Sequence, residues 1–197
     1  VYHALRVVYG ARSATPVLGG DVELVDSDGG PEHVSLLGVD PFARATQPSL
    51  AETMSGSDQV SLFTLLVEPE SVLIGSELAA RMSLTVGDSL RVRGVVGDIG
   101  LRVAGVIQPA DPTLRAWLGM RAIVDVATAQ EVLGRLGYLD SIDLTAPPNA
   151  DQTQWAAELS EKLPDTVSLR SADARARQAR ALMQSFDTNL DMLGLLA

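Results

Sequence analysis

Between Val72 and Gln108 the chain reads VLIGSELAARMSLTVGDSLRVRGVVGDIGLRVAGVIQ, and its Gly-Asp pairs, Gly87-Asp88 and Gly97-Asp98, fix where it can turn. Val72 to Ile74 is a short β-branched and leucine run that Gly75 interrupts. Ser76 stands where an N-cap opens a helix over Glu77, Leu78, Ala79, Ala80, Arg81 and Met82. Beyond Gly87-Asp88, Leu90, Val92 and Val95 alternate with polar or small residues, as in a half-buried strand. Gly97-Asp98-Ile99-Gly100 turns the chain, and Leu101, Val103, Gly105 and Ile107 form the partner strand's set. The stretch therefore specifies a strand, a short helix and a long hairpin.

The flanking segments carry weaker signals. Tyr2, Leu5, Val8 and Tyr9 share a helical face, although Leu5-Val7-Tyr9 also reads as strand alternation, and periodicity alone does not decide. Pro16 to Val25 predicts a strand bent at Gly19-Gly20 that ends in the turn-rich run Asp26-Ser27-Asp28-Gly29-Gly30, and Val34 to Val39 returns. From Asp40 to Gln59 the composition is that of a surface loop, and the apolar run Val60 to Val67 is open to strand or buried helix. After a loop at Pro109 to Pro112, Leu114, Trp117 and Leu118 suggest a helical turn. Ala122 to Val124 is a strand, Asp125 an N-cap, and Ala127 to Leu136 a helix with Val132, Leu133 and Leu136 on one side before Gly137. Leu139 to Leu144 is the next strand and Pro147-Pro148-Asn149 the clearest linker. Trp155, Leu159 and Leu163 mark a helix stopped by Pro164, Thr166 to Leu169 a short strand, and everything beyond Ser171 one long helix with an apolar stripe of Leu182, Phe186, Leu190 and Leu193.

Composition excludes several functions. With 15 Lys plus Arg against 25 Asp plus Glu, a formal charge of -10 repels phosphate backbones and anionic headgroups, so nucleic acid is not an expected partner. There is no cysteine, hence no disulfide framework, thiolate nucleophile or cysteine-bearing metal site. Hydrophobic residues at 46% with only 4% aromatics give a core of Leu, Val, Ile and Ala. No signal peptide opens the chain, and no apolar run approaches the ~18 to 20 residues that span a bilayer, so the segment by itself reads as soluble.

Chemistry-bearing patterns are absent. His3 and His33 have no neighbours at ligand spacing, and Asp26-x-Asp28-Gly lacks the further ligands and terminal Glu of a calcium loop. Gly75-Ser76 is not a nucleophile elbow, and Gly87, Gly97 and Gly100 do not fit a phosphate cradle. No catalytic, cofactor-binding or metal residue is nominated, and no cofactor is expected. Arg170, Arg175, Arg177 and Arg180 form one basic cluster, read as a solvated helix face, with a collar near a membrane surface as the sharper alternative.

The pattern V-L-I-x-x-x-L-A-x-x-x-x-L-x-V-G-D-x-L-x-V, followed about ten residues later by L-x-V-x-G-V-I, resembles the extracytoplasmic domain of ABC-transporter permeases of the FtsX and MacB type. Leu37-Gly38-Val39-Asp40-Pro41-Phe42 sits where many members carry a Gly-Val-Asp-Pro segment, and Phe186 to Ala197 is similar to the helix entering their second membrane span. The resemblance implies an α+β fold. A membrane-proximal, porter-like split βαβ subdomain (1–33 and 138–197, with a C-terminal stalk helix) would carry an inserted, distal α/β (Sabre-like) subdomain (34–137). It also implies a helix at Tyr2 to Tyr9 and a periplasmic location on the bacterial inner membrane. Implied partners are a cytoplasmic ATP-binding subunit reached through the membrane spans, a second permease half or homodimer partner, and a periplasmic protein or lipid-like cargo. The expected role is non-catalytic: outward transmission of ATP-driven change, or handling of lipidic, peptide or lipoprotein cargo. The rivals are a free-standing binding module, with Val72 to Gln108 in a small β-barrel, and a hydrolase using scattered carboxylates.

Overall fold

The computed structural model describes residues 2, 5, 14–25, 30–40, 64–95, 97–147 and 150–171. His3, the Asp26-x-Asp28 turn, the loop at 41–59, Arg175, Arg177, Arg180 and the expected stalk helix lie outside the described residues. Tyr2 and Leu5 are helical. The chain divides into two compact units, 1–145 and 146–197, two residues before Pro147.

The first unit holds seven strands: β1 (Ala14–Val25), β2 (Pro31–Val39), β3 (Ser71–Gly75), β4 (Ser89–Arg93), β5 (Asp98–Ile107), β6 (Arg121–Asp125) and β7 (Ser141–Leu144). Its helices are α1 (Thr64–Val67), α2 (Ser76–Arg81), α3 (Pro112–Leu118) and α4 (Val126–Val132). The second unit contains α5 (Gln152–Ser160), capped by Asp151, whose carboxylate accepts from the Thr153 and Gln154 amides at 2.8 and 3.1 Å.

The strands run in the order β2-β6-β3-β5-β4-β1-β7, and β1 also pairs with β2, so six of them close into a barrel with β7 as a branch. Closure removes the open edges that a sheet of this length would otherwise present. β1 makes it possible. One side of β1 pairs with β2 from Val17↔Val39 to Val25↔Pro31. The other side takes β7 at Ala14 to Val17 and β4 at Glu23 to Val25. The β2–β6 and β3–β5 pairs are parallel and the rest antiparallel.

Period-two alternation sorts the side chains into two cores. Leu18, Leu24, Leu36, Val72, Ile74, Val92, Val103 and Val124 belong to the larger cluster, which α2, Met82, Leu84 and α4 complete through Leu78, Ala79, Ala129 and Val132. Leu73, Ile123, Val39 and Ile107 belong to a second cluster with Leu65 of α1, Leu118 of α3 and partly buried Trp117. β3 is buried at all five positions because its two faces serve different clusters. Between Val72↔Val103 and Leu73↔Gly105 the register slips at Ala104, a bulge after which Val106 packs on the first cluster and Ile107 joins the second. Each fully buried Leu or Ile here contributes about 1.5–3 kcal/mol of transfer free energy.

Several local expectations give way to packing. Gly75, not Ser76, is the N-cap of α2; it has no side chain with which to cap, and it is still paired with Ile107 when the helix begins. A Cβ on Gly75 would lie 2.8 Å from the Leu118 carbonyl, so the residue that seemed to interrupt the strand lets α3 approach it. The run at Val60 to Val67 contains a helix, α1. β1 is one continuous strand through Gly19-Gly20. α4 ends at Val132 with Leu133 as its C-cap, short of the expected Leu136: Gly134 has φ +62, and the Gly134 and Arg135 amides donate to the Glu131 and Gln130 carbonyls at 3.1 and 2.8 Å. Thr166 to Leu169 is not a strand, and the Val167 amide makes a turn bond to the Pro164 carbonyl at 2.9 Å.

Candidate interaction surface

One turn lies at the base of the β4–β5 hairpin, one at its tip, and a third lies across a groove from the tip. At its base, Gly87 adopts φ +98 and donates to the Val103 carbonyl at 2.8 Å, while Val103 donates back to Asp88. The Asp88 carboxylate accepts from the Thr85 amide at 2.7 Å and the Thr85 hydroxyl at 2.9 Å. Those two bonds, the amide foremost, hold its pKa below the ordinary value despite a small opposing effect of desolvation. Gly87-Asp88 thus forms the turn that the pair marks in the sequence.

At the hairpin's tip, Gly94 donates to the Gly97 carbonyl at 3.0 Å, and Val95 donates to Val132 at the end of α4 at 3.2 Å. Gly94 permits this contact, since a Cβ there would lie 2.5 Å from the Val132 oxygen. Val95 is thus in the turn, 81% exposed, instead of in the buried set of β4.

The third turn, residues 134–140, is pinned by side chains. Arg135 and Asp140 pair at 2.5 Å. Together they satisfy Gly19 on the edge of β1 left open between β7 and β4: Asp140 accepts from the Gly19 amide at 2.8 Å, and Arg135 donates to the Gly19 carbonyl at 3.3 Å. Gln130 donates to the Tyr138 carbonyl at 2.8 Å, and the Tyr138 amide to the Arg135 carbonyl at 3.1 Å. This ordered turn nevertheless presents Leu136 and Tyr138 to solvent, 69% and 70% exposed. Between it and the hairpin lies an open groove of about 440 Å³ lined by Ile99, Leu136, Tyr138, Asp98, Glu131 and backbone glycines.

The other candidates do not converge. His33 is exposed on β2, across from Glu23, whose carboxylate pairs with Arg93. Among the described residues no group of three or more His, Asp or Glu could hold a metal ion. Arg121 stacks 4.2 Å over the Trp117 ring and donates to the Trp117 carbonyl at 3.0 Å, and burial lowers its pKa. Sequence reasoning missed the groove because it placed Leu136 on one helix side with Val132 and Leu133, and Val95 in a strand. The available signal was Gly134, a better helix stop than Gly137.

The fold is a mixed α/β domain like those of transporter periplasmic regions. It aligns with the extracellular domain of the noncanonic ABC-type transporter YknZ from Gram-positive bacteria at TM-score 0.55 and 12% identity, over 82% of this chain and 81% of that one. A domain of a putative permease from Porphyromonas gingivalis aligns at TM-score 0.51 and 16% identity, over 84% and 70%. The periplasmic region of MacB from Actinobacillus actinomycetemcomitans aligns at TM-score 0.50 and 12% identity, over 76% and 64%.

Residues 2–162 match the MacB-like periplasmic core domain family, and the chain belongs to it. It is an extracytoplasmic core domain of a MacB/FtsX-type ABC transporter permease. An uncharacterised ABC transporter permease of Mycobacterium tuberculosis is 29% identical over 170 residues, covering 85% of this chain. The chain spans 19% of that relative's length. No helix among the described residues is long and apolar enough to cross a membrane.

Proposed function

We propose that this domain is a non-catalytic relay, moved by ATP-driven rearrangement of a parent permease and presenting its barrel outward. One observation supports the reading above others. Ala14, where β1 begins, is the ladder partner of Leu144, where β7 ends, so the chain enters and leaves the barrel side by side. An excursion of this kind suits an element inserted between two membrane-connected segments. In this proposal a porter-like part (1–33 and 138–197) carries the distal part (34–137), with β1 shared between them. An ATP-binding subunit and a second permease half would supply the drive, and a periplasmic protein or lipidic cargo would receive it.

The test uses the full-length permease with its ATP-binding partner in nanodiscs. One spin label replaces exposed Val67, 78% accessible, and the second sits on a membrane-embedded residue of the same permease. The distance between them is expected to change between nucleotide-free and vanadate-trapped states. A flexible Gly-Ser insertion after Thr145 should abolish that change while ATP hydrolysis continues. An identical distance distribution in both nucleotide states would end the relay proposal.

A further inference from the structure

Most exposed apolar side chains need no explanation, because they sit singly on surfaces that folding leaves over. Leu136 and Tyr138 differ. Their backbone is fixed at both ends by Arg135, Asp140 and Gln130, and the facing hairpin tip, which carries Val95, is fixed to α4. Side chains on pinned turns lose little further backbone entropy when covered, which is the condition that makes aromatic and aliphatic anchors effective in binding.

The charges around the groove choose between occupants. Its lining includes the carboxylates of Asp98 and Glu131 and no cationic side chain. Arg91 and Arg93 approach Asp98 only at 4.0 and 3.9 Å, with Arg93 already committed to Glu23. Glu131 has no ion-pair partner among the described residues. A second copy of this chain, at -10, would set the same acids against each other across a two-fold contact, and an anionic lipid surface would be repelled.

We propose that the groove between the β4–β5 hairpin and the turn at residues 134–140 docks a segment of another protein that combines large apolar side chains with a Lys or Arg. The apolar side chains cover Ile99, Leu136 and Tyr138, and the cation meets Glu131 and Asp98. The surface stands independently of the relay reading, since it concerns what binds the barrel and not what moves it.

The experiment titrates the isotope-labelled chain with an amphipathic Leu/Lys peptide of about 18 residues, a Leu/Glu peptide of the same pattern, and phosphatidylglycerol vesicles, following amide resonances. The Leu/Lys peptide is expected to bind saturably and to shift Gly97, Ile99, Leu136 and Tyr138 first. Leu136→Ser with Tyr138→Ser should raise its Kd by about tenfold and Glu131→Lys by about threefold or more. These positions are exposed, so the fold tolerates the changes, and Val67→Ser, equally exposed elsewhere, should leave Kd unaltered. Four outcomes overturn the proposal. They are shifts scattered over the acidic surface, equal binding of the Leu/Glu peptide, capture of the groove resonances by the vesicles, and movement of those resonances on simple dilution, which would make the groove a contact between copies.

Discussion

Replacing Gly87 separates backbone strain from crowding, two costs that usually arrive together. At φ +98 the residue lies beyond even the left-handed well near φ ≈ +57° that Asn and Asp tolerate. A Cβ at this point would meet only the Arg102 guanidinium nitrogen at 3.7 Å, an ordinary contact with a flexible side chain. Strain of about 1–3 kcal/mol is therefore the whole cost. Lower unfolded-state entropy returns about 0.4–1 kcal/mol for Ala, which leaves a net loss of about 1–2 kcal/mol; Val should approach the upper end of the range and Asn the lower. If the backbone relaxes instead, the paired 2.8 Å bonds joining Gly87 and Asp88 to Val103 break, at about 0.5–1.5 kcal/mol each. Urea unfolding followed through Trp117, in a Trp155→Phe background, reports on the unit that contains this turn. With m of about 1–3 kcal/mol/M, the midpoint should fall by about 0.5–1.5 M. Gly100→Ala is the control, since nothing lies within 4 Å of its Cβ position and its φ is not positive. An unchanged midpoint for Gly87→Val, or an equal fall for Gly100→Ala, would show that backbone strain at residue 87 is not the cost.

Ser83 occupies the left-handed C′ position of α2 at φ +54, with its amide and that of Leu84 bonded to Ala80 and Ala79. Ser83→Gly should raise stability by about 0.5–1 kcal/mol, visible as a higher melting temperature. Asp125 accepts from the Ala127 and Thr128 amides at 2.8 and 3.1 Å, and Asp125→Ala should lose about 0.5–2 kcal/mol in chemical denaturation. Asp88 gives the pH dependence. Its folded pKa is lowered, so its contribution is complete above the ordinary value of 3.8 and is lost as pH falls through the folded value. The stability gap between wild type and Asp88→Asn should therefore be constant from pH 7 to about 5 and close as acid is added; a gap that widens in acid would contradict this.

Local chemistry made the hairpin legible. Leu90, Val92, Leu101 and Val103 alternate because one face of a strand enters the barrel, and Gly87 and Asp125 occupy positions that few residues can fill. Closure was not legible, because the pairing of β1 with β4 joins residues almost seventy positions apart and no local pattern encodes it. The family resemblance rested on residues now seen in β3, α2, β4 and β5, whereas Leu136 and Val95 were misplaced for a shared reason. Each continues the apolar rhythm of an element that has already ended, and periodicity cannot distinguish a core residue from one displayed just past a helix or strand terminus. The surface was hidden in the sequence because its anchors look like core.

The ladder between β1 and β7 has a mechanical consequence. Ala14 faces Leu144, so tension drawing the two outer chain ends apart opens that ladder one bond at a time, like a zipper. Tension drawing both ends the same way leaves it closed and loads the ladder from Val17↔Val39 to Val25↔Pro31 lengthwise, where several hydrogen bonds resist together. The barrel is thus compliant to separation of its two outer chain ends and stiff to their common motion, a directional filter set by the register of a single strand.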